Sequence, residues 1–101
     1  MKILVVDIGG SHVKFLATGQ PEARRFDSES TLTPTQLVQR VKELTTVWPY
    51  DVVSLGFPGE VGPTCPKAEP GNLGEGWVGF DYEAAFGKPT RLINDASMQA
   101  L

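Results

Sequence analysis

The stretch ILVVDIGGSHVK, residues 3–14, decides how the rest of the chain is arranged. Its first four residues are apolar and three of them are β-branched, a pattern typical of a strand buried on both faces in the middle of a covered sheet. Asp7 follows this run. A carboxylate at the end of a buried strand needs a cation, a hydrogen-bond donor or water, so we expect Asp7 at an edge of the sheet.

The turn behind this strand carries groups that suit a phosphate. Gly9 and Gly10 permit a tight reversal in which backbone N–H groups approach a ligand closely. Ser11 adds a hydroxyl and Lys14 adds a positive charge. A plain hairpin turn is the alternative interpretation, since Gly-Gly between apolar strands is common.

Length and composition exclude several classes of protein. The 101 residues suffice for one core but not for two, and 41% hydrophobic with 21% charged residues is ordinary for a soluble globular domain. The net charge of -3 offers no attraction to nucleic acid or to an anionic membrane. No apolar run is long enough for a signal peptide or a membrane span, so we expect a cytoplasmic protein. A single cysteine and a single histidine, Cys65 and His12, argue against a structural zinc site in this chain.

The remaining sequence predicts an α/β fold with a mixed five-stranded sheet and helices packed on it. Short apolar runs between glycine, proline and polar residues mark the strands, and a strand reached through a helix pairs parallel to its neighbour. The second and third strands should form an antiparallel meander with the first. The strands expected after the first are residues 12–18, 23–26, 51–57 and a fifth within residues 89–96.

The best helix signal lies between the third and fourth strands. Thr33 is the expected N-cap, Pro34 suits the first helical position and Gln36 completes a capping box. An apolar stripe at helical spacing continues toward Pro49, which should end the helix. Residues 82–86 predict a short helix that ends at Gly87, and residues 97–101 open a final helix that is truncated after one turn. One turn cannot bury its face alone, so we expect the chain to be a piece of a longer protein.

The long connection after the fourth strand is the second candidate for function. Residues 58–79 are dense in glycine and proline and follow the carboxyl end of a parallel strand, where open α/β sheets bind ligands. Disorder is the alternative, but Trp77 and Val78 indicate that the far end is tied to the core. The fifth strand should deliver Asn94 and Asp95 to the same edge as Asp7.

Several motifs together resemble one family. Asp7-Ile8-Gly9-Gly10-Ser11 followed by Lys14 is similar to the first phosphate motif of the sugar kinase, actin and heat-shock ATPase superfamily. Along nearly the whole chain the order of motifs resembles the N-terminal lobe of ROK-family sugar kinases, and residues 77–81 look most like polyphosphate glucokinases. The further motifs are Phe57-Pro58-Gly59, Gly71-Asn72-Leu73, Gly76-Trp77, Gly87-Lys88-Pro89 and Asn94-Asp95-Ala96. The resemblance implies a ribonuclease H-like, actin-type ATPase lobe over residues 1–101, with the C-terminal lobe absent from this chain.

The resemblance also implies a role for each matching residue. Asp95 would be the general base that takes the proton of the sugar's 6-hydroxyl. Asn94 would orient it, while Asn72 and the backbone of Gly71 would hold other sugar hydroxyls. Asp7 would organise Mg²⁺ through water, and the phosphate would be held by Gly9, Gly10 and Ser11 with Lys14 as a counter-charge. Asn94-Asp95 also suits a helix N-cap, and the two roles are compatible.

The implied function is therefore a sugar kinase, with glucose as the expected sugar and ATP or polyphosphate as the donor. The family's zinc site, adenosine contacts and remaining sugar ligands would lie in the missing lobe, so we expect the isolated chain to be inactive and to favour homo-oligomers. A sugar-sensing ROK-type transcriptional regulator is an alternative, although Met1 leads directly into the first strand with no DNA-binding segment before it. A non-catalytic phosphate- or sugar-binding module is another.

Overall fold

The sheet predicted from the sequence is present in the computed structural model, which describes residues 1–9, 11–62, 65–71 and 73–94. The strand order is β3-β2-β1-β4-β5. The two β1–β2 and β2–β3 pairs are antiparallel, whereas β1–β4 and β4–β5 are parallel, as a strand reached through a helix requires. The strands are β1 (Ile3–Ile8), β2 (His12–Ala17), β3 (Arg24–Asp27), β4 (Val52–Phe57) and β5 (Thr90–Asn94).

One face of β1 is buried and the other is not, which corrects the prediction of a strand covered on both sides. Leu4, Val6 and Ile8 are fully buried, while Ile3 and Val5 remain 38% and 37% exposed. The reason is that the buried residues of both described helices belong to the same core as Leu4, Val6 and Ile8. Within the described part of the chain, the helices therefore cover a single side of the sheet.

The first helix, α1 (Pro34–Leu44), begins as its sequence predicts. Thr33 Oγ1 accepts a hydrogen bond from the Gln36 N–H at 3.3 Å, and Gln36 Oε1 accepts one from the Thr33 N–H at 3.1 Å. This capping box satisfies donors that the first turn cannot pair internally. The buried side of the helix consists of Pro34, Leu37, Val38 and Val41.

The end of α1 differs from the prediction, because the helix stops at Leu44 rather than running to Pro49. Thr45 is the C-cap, and its hydroxyl donates to the Val41 carbonyl at 2.7 Å, a side-chain bond that competes with continued helix. The chain then turns so that Trp48 is buried against Phe15, with ring centroids 6.1 Å apart. Burial of this aromatic ring explains why the apolar stripe extends beyond the helix itself.

The second helix, α2 (Tyr82–Phe86), and its boundaries match the sequence. Asp81 caps its N-terminus by accepting from the Ala84 N–H at 3.1 Å, and Gly87 ends it in the left-handed conformation at φ 70°. Among the described residues between β4 and α2 there is no helix or strand, only an isolated bridge between Val61 and Pro66. The predicted final helix, residues 97–101, lies outside the described residues.

Candidate active site

Three strand ends meet at one edge of the sheet. β1, β4 and β5 are parallel. Asp7 on β1 pairs with Gly56 on β4, and on β5 Ile93 pairs with Gly56 and Asn94 with Phe57. Carboxyl ends of parallel strands are where such sheets bind ligands. The structure therefore brings Asp7 and Asn94 to the same edge, as the sequence predicted.

Asn94 is fixed by the loop that follows β4. Its side-chain amide donates to the Gly59 carbonyl at 2.7 Å, and the residue is half-buried. This bond orients the amide and joins the end of β5 to the Pro58-Gly59 turn. The neighbouring Asp95 lies outside the described residues, so its role as a base stays a prediction.

The glycine turn after β1 is held by Ser28, the residue that follows β3. The Gly9 N–H donates to the His12 carbonyl at 2.9 Å, and a Cβ at Gly9 would lie only 3.0 Å from that oxygen. The Ser28 hydroxyl donates to the Gly9 carbonyl at 2.8 Å, and the Ser28 N–H donates to the Ser11 carbonyl at 2.9 Å. Buried Ser28 thus fixes both flanks of the turn, while Gly10 lies outside the described residues. Sequence reasoning missed Ser28 because nothing local links it to a turn 19 residues away.

The charged residues beside the turn lie on the face of the sheet that the helices leave open. Asp7 and Lys14 occupy directly opposed positions on β1 and β2, and so share that face. His12 Nδ1 lies 3.4 Å from Asp27 Oδ1 across β2 and β3, with its side chain more than half exposed. His12 is therefore a surface residue paired with a side chain on the neighbouring strand.

An open groove of about 440 Å³ lies beside Asn94. Glu60, Val61 and Lys67 form one wall, and the Lys67 N–H donates to the Glu60 carbonyl at 3.1 Å. The groove combines an amide, a carboxylate and an ammonium group, which between them donate and accept hydrogen bonds as a polyol requires. The sequence analysis missed Glu60 and Lys67, whose only signal is their position in the loop after β4. The lining residues are Glu60, Val61, Lys67, Leu92, Ile93 and Asn94.

The segment carrying Gly71 is tied to the same edge through the core. Trp77 is fully buried, and its ring lies 5.7 Å from that of Phe57, the last residue of β4. The Tyr82 hydroxyl donates to the Trp77 carbonyl at 2.7 Å, and burial raises the pKa of this hydroxyl above its ordinary value. Gly71 itself is exposed, and Asn72 lies outside the described residues. The prediction that the far end of the loop is tied to the core is confirmed for Trp77, whereas the side chain of Val78 is 44% exposed.

The described residues contain neither a cluster of metal-binding side chains nor a helix that could span a membrane. Across residues 1–9, 11–62, 65–71 and 73–94, no three His, Cys, Asp or Glu side chains come together in a way that could hold a metal ion. In the same ranges, neither helix has the length and apolar character needed to cross a bilayer.

Comparison with solved structures shows that the chain has the fold of ROK-family sugar kinases. It aligns with an inorganic polyphosphate/ATP-glucomannokinase from Arthrobacter sp. strain KM at a TM-score of 0.77 and 22% identity, over 94% of this chain and 44% of that one. A ROK family protein from Streptococcus pneumoniae TIGR4, solved with sucrose, aligns at 0.76 and 21% identity over 100% of this chain and 37% of that one. A ROK family glucokinase from Streptomyces griseus, solved with glucose and AMPPNP, aligns at 0.74 and 17% identity, over 99% and 35%.

These alignments confirm the predicted fold, a mixed five-stranded sheet with helices packed on it. The chain spans between 35% and 44% of the length of the sugar kinases it matches. No protein-family model and no curated protein matches the chain. At identities of 17–23% the likeness concerns the fold, and the chemistry has to be argued from the site.

Proposed function

We propose that this chain is the N-terminal lobe of a ROK-type sugar kinase that transfers the terminal phosphoryl group of ATP or polyphosphate to the 6-hydroxyl of a sugar, with glucose as the first candidate. The observation that carries the proposal is the meeting of the Asp7 turn, the Gly59 loop and Asn94 at one edge of the sheet. Similar structures named as a glucomannokinase and a glucokinase support this choice over a regulator.

The phosphate side of the site is the turn after β1. Phosphoryl transfer depends on positioning and charge neutralisation, and a turn whose flanks are held by hydrogen bonds serves the first requirement. Ser28 fixes Gly9 and Ser11 on the two flanks. Because the Gly9 N–H already donates to the His12 carbonyl, Gly9 shapes the turn in this proposal, and Gly10 and Ser11 would meet the phosphate. Lys14 supplies a positive charge two residues beyond His12.

Asp7 suits a Mg²⁺ ion bound through water. Mg²⁺ usually keeps several of its waters and takes one or two carboxylates, and a single half-buried carboxylate at a strand end fits that preference. When bound, the ion would neutralise negative charge on the transferred phosphoryl group. Asp7 is part of β1, so its position relative to the turn is fixed by the sheet.

The sugar side is the end of β5 together with the segment around Gly71. Asn94 is oriented by Gly59 at this edge, and Asp95 is the next residue in the sequence, which supports assigning the base to Asp95. In the proposed step, Asp95 accepts the proton of the 6-hydroxyl while that oxygen bonds to phosphorus and the bond from phosphorus to the donor oxygen breaks. Asn72 and the Gly71 backbone would hold other hydroxyls.

The complete enzyme in this proposal has a second lobe. That lobe would supply the adenosine contacts, the zinc site and further sugar ligands, so the 101-residue chain alone would not turn over sugar. Ile3, Val5 and Leu16 are 37–39% exposed on the open face of the sheet, which supports association with another chain. The proposed partners are a sugar and a phosphoryl donor in the cytoplasm, with no nucleic acid or membrane.

The test compares three versions of the full-length protein: wild type, Asp95→Asn and the control Asp27→Asn, which makes the same charge change at a side chain that is 91% exposed. Asp95→Asn should lower kcat by roughly 10²- to 10⁴-fold, because the base is lost, while glucose binding measured by calorimetry persists. Asp27→Asn should retain wild-type kcat. An unchanged rate in Asp95→Asn would overturn the assignment of the base.

A further inference from the structure

The Glu69 carboxylate joins the two ends of the segment that carries Gly71, because it binds the backbone of Trp77 and Val78. Glu69 Oε1 accepts a hydrogen bond from the Trp77 N–H at 2.9 Å, and Glu69 Oε2 accepts one from the Val78 N–H at 2.8 Å. These donors, Val78 first and Trp77 second, hold the pKa of the Glu69 carboxyl below its usual range. Both oxygens are therefore committed to backbone donors eight and nine residues further along the chain.

One of the two donor residues, Trp77, is held in place by the core. Trp77 is fully buried against Phe57, and its indole Nε1–H donates to the Gly74 carbonyl at 2.8 Å. Its own carbonyl accepts from the Tyr82 hydroxyl at 2.7 Å. Glu69 thus ties the entrance of the segment to a residue that the core immobilises.

Two described residues between Glu69 and Trp77 are also held in place. Leu73 is buried, and the Gly74 N–H donates to the Leu32 carbonyl at 2.9 Å. Gly71 is exposed and lies two residues after Glu69. Its position therefore depends on the Glu69 bonds on one side and on the Leu73–Gly74 contacts on the other.

We infer that Glu69 is a positioning residue for sugar binding: its carboxylate sets the place of the Gly71 backbone relative to the strand ends. This inference rests on the proposed kinase function. Glu69 does not compete with Asp95 for the role of base, because both of its oxygens already accept hydrogen bonds from backbone amides. Loss of the Glu69 carboxylate should therefore weaken sugar binding and leave binding of the phosphoryl donor unchanged.

The experiment uses the full-length protein with Glu69→Ala, which removes both acceptors, and Glu69→Gln, which keeps one. Glu75→Ala and Glu75→Gln are the matched controls, since Glu75 is an exposed acid on the same segment that takes part in neither bond. KM for glucose and KM for the phosphoryl donor are measured separately at a temperature where all variants are folded. Hydrogen exchange of the Trp77 and Val78 amides is followed in parallel.

Glu69→Ala should raise the KM for glucose by roughly tenfold, below the ~100-fold that a misplacement of about 1 Å can cost, and leave the donor KM within about twofold. Glu69→Gln should give an intermediate value, because one amide oxygen can still accept. The Trp77 and Val78 amides should exchange faster in both Glu69 variants and remain protected in the Glu75 controls.

The outcomes separate this inference from the function on which it rests. An active wild type whose Glu69→Ala variant keeps the glucose KM, or raises both KM values equally, overturns the positioning role and leaves the kinase intact. A wild type that phosphorylates no sugar overturns the proposed function and the positioning role together. If the Trp77 and Val78 amides exchange at the wild-type rate in Glu69→Ala, Glu69 does not hold these residues in place, and the positioning role is overturned whether or not the protein is a kinase.

Discussion

Among the glycines whose surroundings the structure describes, Gly74 has the least room for a side chain. A Cβ there would lie 2.5 Å from the Thr31 carbonyl oxygen and 2.8 Å from the Leu32 carbonyl oxygen, whereas ordinary contacts begin at 3.4 Å. Both obstacles are backbone atoms, so no side chain can rotate away. Relief requires the two segments to separate, which would also break the 2.9 Å bond from the Gly74 N–H to Leu32.

The cost of Gly74→Ala follows from these contacts. Overpacking costs about 1–3 kcal/mol and the lost hydrogen bond about 0.5–1.5 kcal/mol, so we expect a loss of roughly 2–4 kcal/mol in the free energy of unfolding. For a domain of this size the melting temperature should fall by at least about 8 °C. Gly71→Ala is the matched control, because nothing lies within 4 Å of a Cβ there. It removes the same freedom from the unfolded chain and should be neutral or slightly stabilising.

Thermal unfolding of the 101-residue chain, followed by tryptophan fluorescence and circular dichroism, measures both variants. The difference between them reports the steric conflict alone, since the unfolded-state effect of glycine to alanine is common to both. If Gly74→Ala melts within about 2 °C of Gly71→Ala, a difference of less than ~0.5 kcal/mol, the close approach of the Gly74 backbone to residues 31–32 is wrong.

Three further predictions concern the turn, the helix and the anchor of the loop. Ser28→Ala removes the donor to the Gly9 carbonyl and should cost about 1 kcal/mol of unfolding free energy while raising the donor KM more than the sugar KM; equal KM values to wild type would contradict the role of Ser28 in shaping the turn. Thr33→Ala should destabilise the chain by ~1 kcal/mol through loss of the capping box, measured by urea unfolding, whereas an unchanged midpoint would contradict it. Burial raises the pKa of the Tyr82 hydroxyl, so the folded state keeps this proton when the unfolded chain has lost it. Stability should therefore be intact below pH ~10 and fall as the pH rises further, and Tyr82→Phe should show a weaker fall over that alkaline range.

Much of the fold could be predicted because the relevant signals are local. The capping box at Thr33, the left-handed Gly87 and the alternation of short apolar runs each depend on residues within one turn or strand. The burial of β1 could not be predicted in the same way. Whether Val5 is buried depends on which elements pack against its face of the sheet, and the sequence of the strand does not indicate this.

The candidate site was predictable where residues sit at strand ends and not where distant segments meet. Asp7 and Asn94 follow from the parallel pairing that a crossover helix imposes. Ser28 and Glu69 act through bonds to residues far along the chain in irregular structure, where no periodicity relates the partners. The end of α1 was equally unpredictable from the sequence, because the Thr45 hydroxyl and the burial of Trp48 end the helix before Pro49.

Sugar phosphorylation by the full-length wild-type protein, with ATP and polyphosphate offered separately and glucose as the first acceptor, decides whether this edge of the sheet belongs to a kinase. We expect formation of the sugar 6-phosphate with at least one of the two donors, and the donor that works defines the phosphate side of the site. A full-length protein that binds glucose but forms no phosphorylated sugar with either donor would contradict the account. The edge of the sheet would then serve sugar recognition alone.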